Sequence, residues 1–322
     1  MDIRRVILFC AMVVATLTSA AHAAEKVTLL LPAPTSRPAF APYVVAKARG
    51  YYAAADMDVE FQVANGGADV AKQVGVGNAP VGSAIADTPI IVRPNGVMVK
   101  TVGVFGGGGL TQLIVKSDSP IKGPADLKGK TVTVLSYQDT TYYALLGMLA
   151  SVGLSKSDVK ILAAGPANIW KMFMADQADA MACVPDYIGI LKDAGATFRV
   201  IPGDAYFQSM AQAIMASDEM IAKRPDFLRR FVKATMHGLA DIKADPAGAA
   251  HDFVRLTPEN AGHEASVTEV FLFYTANVFK PQSPLGAIDG ARMGTLEDFY
   301  AQYGIIDTKT PKADLYSNAF VE

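Results

Sequence analysis

The sequence predicts an α/β protein of two lobes, the second inserted into the first. Three observations carry this. Short apolar runs alternate with amphipathic stretches of about ten residues, the pattern of βαβ units on a largely parallel sheet. The pattern restarts after a glycine-rich joint at 106–109. The last third then turns helical and has no sheet of its own to pack on, which calls for a return to the first unit.

Residues 27–31 read as the first strand, and 40–49 as a helix closed by Gly50 in the left-handed conformation. A second strand at 59–63 is followed by a turn at Asn65, Gly66 and Gly67 into a helix over 68–76. Val81–Ile85 is the third strand, with Asp87 placed to cap the next helix, and 97–104 is the fourth. In the second unit, 113–116, 131–135, 159–163, 180–184 and 198–201 read as strands. Helices are expected there at 140–152, stopped by Gly153, at 168–175 and at 186–193. Beyond Ser217, Pro225 suits a first helical position, and Phe227, Phe231, Val232, Thr235 and Leu239 recur at helical spacing. Further helices are expected at 246–256, 260–279 and 296–303. With crossings at 112/113 and 213/214, lobe 1 comprises 24–112 and 214–322, and lobe 2 comprises 113–213.

Composition narrows the function. Of 322 residues, 51% are apolar and 19% charged, enough to fill a core and far from the disordered regime. Lys plus Arg is 29 against 31 Asp plus Glu, so no basic surface favours nucleic acid or an anionic membrane. Residues 1–23 carry Arg4 and Arg5, an apolar run over 6–17 and the triplet Ala21-His22-Ala23. That is the form of a cleaved secretory signal peptide, too short to span a membrane. Its removal takes Asp2, Arg4 and Arg5, moving the net charge from −2 to −3, and takes Cys10, leaving Cys183 with no disulfide partner. The expected product is an exported, soluble monomer.

Catalytic patterns are wanting. Residues 123–131 look like a phosphate loop, but five residues rather than four separate Gly123 from Gly129, and Gly129-Lys130-Thr131 leads into a strand. His237, His251 and His263 meet no metal-ligand spacing. Cys183 has no histidine in its lobe and reads as a buried structural cysteine. No catalytic residue, metal or cofactor is expected.

The loops at strand ends remain. In open parallel sheets, ligands bind beyond the carboxyl ends of strands, beside helix N-termini that expose free N–H groups. After the first strand these positions include Ser36, Arg37 and Phe40, and after the second Asn65, Gly66 and Gly67. Asp87 and Thr88 follow the third. In lobe 2 they are Tyr137, Thr140 and Thr141, then Asn168 and Trp170, then Asp186 and Tyr187. Arg37, the one cation in these loops, is either a clamp for a carboxylate or sulfonate or a solvated charge. Thr140 and Thr141 suit a helix cap or a ligand contact. Trp170 suits helix-to-sheet packing or stacking on a planar ligand. Asp87, Asp139 and Asp186 each suit a helix cap, or together an amino group on the ligand. The segments 65–68 and 136–141 are expected to face each other across a cleft.

These residues resemble a known family. The run 40–52 followed by Asp58-Val59-Glu60, the Asp126-Leu127-Lys128-Gly129-Lys130 entry to lobe 2, Ala178-Asp179-Ala180-Met181, and Lys223-Arg224-Pro225-Asp226-Phe227 occur in order along the chain. They are similar to the periplasmic substrate-binding proteins of ABC importers, in the branch covering nitrate, sulfonate, taurine and thiamine-pyrimidine precursors. The resemblance implies a two-lobed periplasmic-binding-protein fold of type II. Its ligand is a small polar organic solute, such as a sulfonate, carboxylate or pyrimidine, held in the cleft between the lobes. It also implies partnership with a membrane permease and its ATPase. A secreted enzyme or a ligand sensor could be built on the same scaffold. The branch is also similar to yeast pyrimidine-forming enzymes with a cysteine-rich run, where this chain has only Cys183.

Overall fold

The computed structural model describes residues 24–137 and 139–321. The expected signal peptide, 1–23, lies outside the described residues. Lobe 1 opens with β1 (Glu25–Leu31), α1 (Ala41–Ala48), α2 (Tyr51–Ala54), β2 (Met57–Val63), α3 (Gly67–Gly75), β3 (Val81–Ile85), α4 (Thr88–Val92) and β4 (Val99–Val104). The chain then crosses to build β5 (Gln112–Lys116), β6 (Thr131–Val134), α5 (Thr140–Ala150), β7 (Lys160–Ala163), α6 (Ile169–Met174), β8 (Ala180–Cys183), α7 (Asp186–Asp193) and β9 (Phe198–Pro202). It returns through β10 (Gln212–Ser217). It ends in α8 (Asp218–Lys223), α9 (Pro225–Ala244), α10 (Pro246–Leu256), α11 (Glu264–Asn277), α12 (Gly290–Gln302) and α13 (Lys312–Leu315).

The first sheet has the order β2-β1-β3-β10-β4 and the second β7-β6-β8-β5-β9. Strand β1 pairs in parallel with β2 and β3, whereas β10 runs antiparallel to both β3 and β4. In the second sheet β6 is parallel to β7 and β8, and β5 is antiparallel to β8 and β9. The sheets are therefore mixed rather than parallel throughout. Each takes one strand in the reverse direction beside a crossing. The sequence patterning did not reveal β10. Gln112 pairs with Cys183 and Pro202 in the second sheet, and Gln212 and Ala213 pair with Ile85 and Ala84 in the first. The positions 112/113 and 213/214 thus fall inside whole strands, and the crossings occupy 105–111 and 203–211.

The helical third packs as expected on lobe 1. α9 lies against α1, and Gly238 permits the approach, since a Cβ there would stand 2.3 Å from the Pro42 carbonyl oxygen. The Tyr43 hydroxyl, buried beneath α1, bonds Ser83 Oγ at 3.0 Å and the Ala213 carbonyl at 3.1 Å, tying α1 to β3 and β10. α12 starts earlier than expected because Asp289 caps it, accepting from the Ala291 and Arg292 N–H groups at 2.8 and 3.2 Å. One apolar core runs through both lobes, joining Phe271 and Val267 of α11 to Ile188 and Leu191 of α7. No helix among the described residues is long and apolar enough to cross a membrane.

Candidate functional site: a cavity between the lobes

The carboxyl ends of the parallel strands point at one another across the seam, and a cavity of about 650 Å³ lies between them. That is within the usual range for small-molecule sites. Lobe 1 contributes Arg37 and Phe40 after β1, Asn65, Gly66 and Gly67 after β2, and Thr88 after β3. Lobe 2 contributes Asp139, Thr140 and Thr141 after β6, Pro166 and Ala167 after β7, and Asp186 and Tyr187 after β8. Residues 65–68 of lobe 1 and Ser136, Asp139, Thr140 and Thr141 of lobe 2 line the same cavity.

Local structure sets each wall. Gly66 has φ 86° and ψ 170°, a conformation open essentially to glycine, and it turns the end of β2 into α3. Gly67 lies close to β3, with a built Cβ 3.1 Å from that of Ala84. In lobe 2 the cap of α5 is Asp139, not a threonine. Its Oδ1 accepts from the Thr141 N–H at 2.8 Å and the Thr141 hydroxyl at 2.6 Å. Thr141 is fully buried and serves this cap, while Thr140 stays half-buried at the cavity wall. The Arg37 guanidinium lies 5.7 Å from the centre of the Tyr187 ring, a cation–π contact, and the Tyr187 hydroxyl donates to the Pro166 carbonyl at 3.0 Å. Burial pushes the Tyr187 phenol well up, and nearby Arg37 partly opposes this. Burial also raises the carboxyl groups of Asp139 and Asp186 above the ordinary range.

Five expected positions lie elsewhere. Ser36 is held by its carbonyl, which accepts from Asn260 Nδ2 at 2.9 Å, and its side chain is not on the wall. Asp87 is buried behind the wall, where its Oδ2 accepts from the Tyr300 hydroxyl at 2.5 Å and it makes no cap to α4. Tyr137 is 50% exposed, its hydroxyl donating to the Ile161 carbonyl. Asn168 is exposed at the start of α6. Trp170 packs on the core with Lys171 over its ring, which is the packing reading.

The walls are more apolar than the loop sequences suggested. Val63, Ile85, Ile91, Leu110, Leu135 and Val184 all line the cavity. Apart from Ile91 on α4 they are strand-end or loop-edge residues, and the sequence signal of all six is indistinguishable from that of core. Gln212, at the start of β10, also lines it and donates to Ser83 Oγ at 2.8 Å. A polar residue opening a buried strand was its one available signal. Arg37 is the one cation among the described lining residues, against the two carboxylates Asp139 and Asp186. No group of three or more His, Cys, Asp or Glu among the described residues is placed to hold a metal ion.

Two mixed sheets joined by two crossing segments around a cavity make the two-lobed periplasmic-binding-protein fold. The family model described as NMT1/THI5 like matches residues 37–249, and the chain belongs to that family. It is 29% identical over 297 residues to the riboflavin-binding protein RibY of Chloroflexus aurantiacus, covering 88% of this chain and 82% of the relative. Among solved structures it is similar to the periplasmic aliphatic sulphonate binding protein SsuA from Escherichia coli. That match has a TM-score of 0.71 and 19% identity over 90% of this chain and 91% of the other. The desulfurization enzyme DSZB, solved with biphenyl-2-sulfinic acid, shares the fold at a TM-score of 0.59 and 15% identity, over 92% and 97% of the two chains.

Proposed function

We propose that the chain is the periplasmic solute-binding component of an ABC import system and takes a planar, uncharged heteroaromatic solute of the riboflavin class. The observation that carries this is the chemistry of the cavity. Its walls are mostly apolar, its polar groups are few, and two carboxylates stand against one guanidinium that already faces an aromatic ring. A sulfonate or carboxylate entering there meets two carboxyl groups for one guanidinium, whereas a flat neutral ring system buries apolar area and bonds at its edges. Asn65, Thr140 and Gln212 line the cavity and carry the polar groups that such edges need. RibY binds riboflavin by its name, which supports the same class. The leader expected at 1–23 supports export, and delivery to a permease follows from the resemblance.

Binding rather than turnover is the second part of the proposal. Cys183 is fully buried, is absent from the cavity wall, and its thiol is pushed well up by burial, so it makes a poor nucleophile. The test is titration of riboflavin, a pyrimidine and a simple alkanesulfonate, read by flavin fluorescence and thermal shift. Riboflavin is expected to be quenched, to raise Tm and to be recovered unchanged. Stabilisation by the sulfonate alone, or appearance of a product, overturns the reading. Arg37→Ala adds a second discrimination. It is expected to weaken riboflavin binding less than about tenfold, because a neutral ligand loses only contact area, whereas loss of a charge clamp costs more.

A further inference from the structure

We propose that Asp186 is the closing latch of the cavity, a positioning residue that lobe 2 presents and lobe 1 grips when the lobes meet. The inference rests on the reading that this cavity holds the solute. Asp186 opens α7, and its Oδ1 accepts from the Ala39 N–H at 3.0 Å and from the Tyr274 hydroxyl at 2.7 Å. Both donors belong to lobe 1, and they come from two separate segments: the turn after β1 and helix α11. Two residues before Ala39, Arg37 covers the ring of Tyr187, the residue after Asp186. The segment 37–39 therefore grips 186–187 beside the cavity.

The rest of the seam has the same character. Asp186 and Asp193 stand seven residues apart, on one face of α7. α11 runs antiparallel along that face. Tyr274 meets Asp186, Val270 meets Gly189, and His263 and Ser266 meet Asp193, with His263 Nδ1 at 2.9 Å. A Cβ on Gly189 would stand 3.2 Å from Val270 Cγ2, so the helices touch closely. These contacts bridge the two lobes, so parting the lobes along this seam would break them. Interactions made in one state alone are what shift an equilibrium toward it. With the lobes apart, the carboxylate returns to water and the Tyr274 hydroxyl loses its partner.

The test measures interlobe distance by pulsed electron spin resonance. Labels are placed at Lys72→Cys and Lys156→Cys, exposed positions on the two lobes of the mature protein, whose Cys183 is buried. Tyr274→Phe, which removes one oxygen from a packed ring, and Asp186→Ala are each expected to cut the short-distance fraction of the solute-free protein about fivefold to tenfold. The double variant is expected to be no worse than either, and Asp186→Asn, which keeps an acceptor oxygen, to restore most of the fraction. Riboflavin affinity is expected to fall by the same factor. Unchanged distance distributions in Tyr274→Phe and Asp186→Ala overturn the latch whatever riboflavin does. A wild-type protein that ignores riboflavin overturns the solute reading alone, because the distance result stands without it.

Discussion

Asp87 illustrates what burial does to a single residue. Its Oδ1 is buried with no hydrogen-bond partner, and its Oδ2 takes the Tyr300 hydroxyl at 2.5 Å. Desolvation pushes the carboxyl up to about 6; the Tyr300 bond opposes this, Asp139 adds to it and Arg292 draws it down slightly. In the unfolded chain an aspartate titrates near 4. The folded value is the higher, so this group's stability contribution is fully present below about pH 4 and is lost as pH rises to about 6. The loss is on the order of 2–3 kcal/mol. Asp87→Asn keeps an acceptor for Tyr300 and never ionises. It is expected to match wild type near pH 4 and to be more stable at pH 7, as read by urea unfolding at the two pH values. An equal difference at both would mean that burial leaves the Asp87 carboxyl titrating in the folded protein as it does in the unfolded chain. The sequence marked Asp87 as a cap or ligand because it follows a strand end. Its partner is more than two hundred residues away on α12, and no local pattern announces that.

At the scale of elements, period and punctuation made most of the fold legible. Val81–Ile85, Asp186–Asp193 and Pro246–Leu256 are found as read, each bounded by turn or cap residues. Strand β10 was not legible. All of Gln212–Ser217 is buried, so it lacks alternation, and only Ile214 among its residues is β-branched. Its place between β3 and β4 is set by contacts across more than a hundred residues. The cavity was half legible for a related reason. Strand ends are predictable from order along the chain, but a rim tyrosine such as Tyr137 cannot be told from an inner one. The α1–α9 pair makes a prediction at this scale. Gly238→Ala places a methyl 2.3 Å from the Pro42 oxygen and 2.8 Å from the Ala46 nitrogen, both backbone atoms. Better helix propensity is worth about 1 kcal/mol and the clash costs about 1–3. The expected result is a net loss of up to about 2 kcal/mol by chemical denaturation, with solute affinity unchanged because Gly238, Pro42 and Ala46 do not line the cavity. A stabilised variant would show that the helices part without strain.

At the scale of the whole molecule, the two lobes are held in a fixed relation at their crossings. Arg292 of α12 reaches both crossings at once. Its Nη1 donates to the Gly107 carbonyl at 2.5 Å, its Nε to the Gln208 carbonyl at 3.2 Å, and its Nη2 to the Ser209 carbonyl and Asp204. Asp204 also takes the Gly109 N–H at 2.9 Å and Lys280 Nζ at 2.8 Å. One guanidinium thus holds the outgoing strand's exit and the returning strand's entry to a single helix, which a lysine's point charge could not span. The Arg292 and Asp204 side chains are only 8% and 10% exposed, so the pair is shielded from salt. Removing Arg292 leaves Asp204 to Lys280 and the Gly109 N–H but strips the Gly107, Gln208 and Ser209 carbonyls of a donor, at a cost of about 3 kcal/mol. Arg292→Met, which keeps bulk, is therefore expected to lower unfolding free energy by about 3 kcal/mol, equally at low and high ionic strength. Arg292→Lys should recover less than half of it. A loss below about 1 kcal/mol, or one that vanishes in salt, would mean that the crossings hold their course through backbone pairing and that the clasp only decorates them.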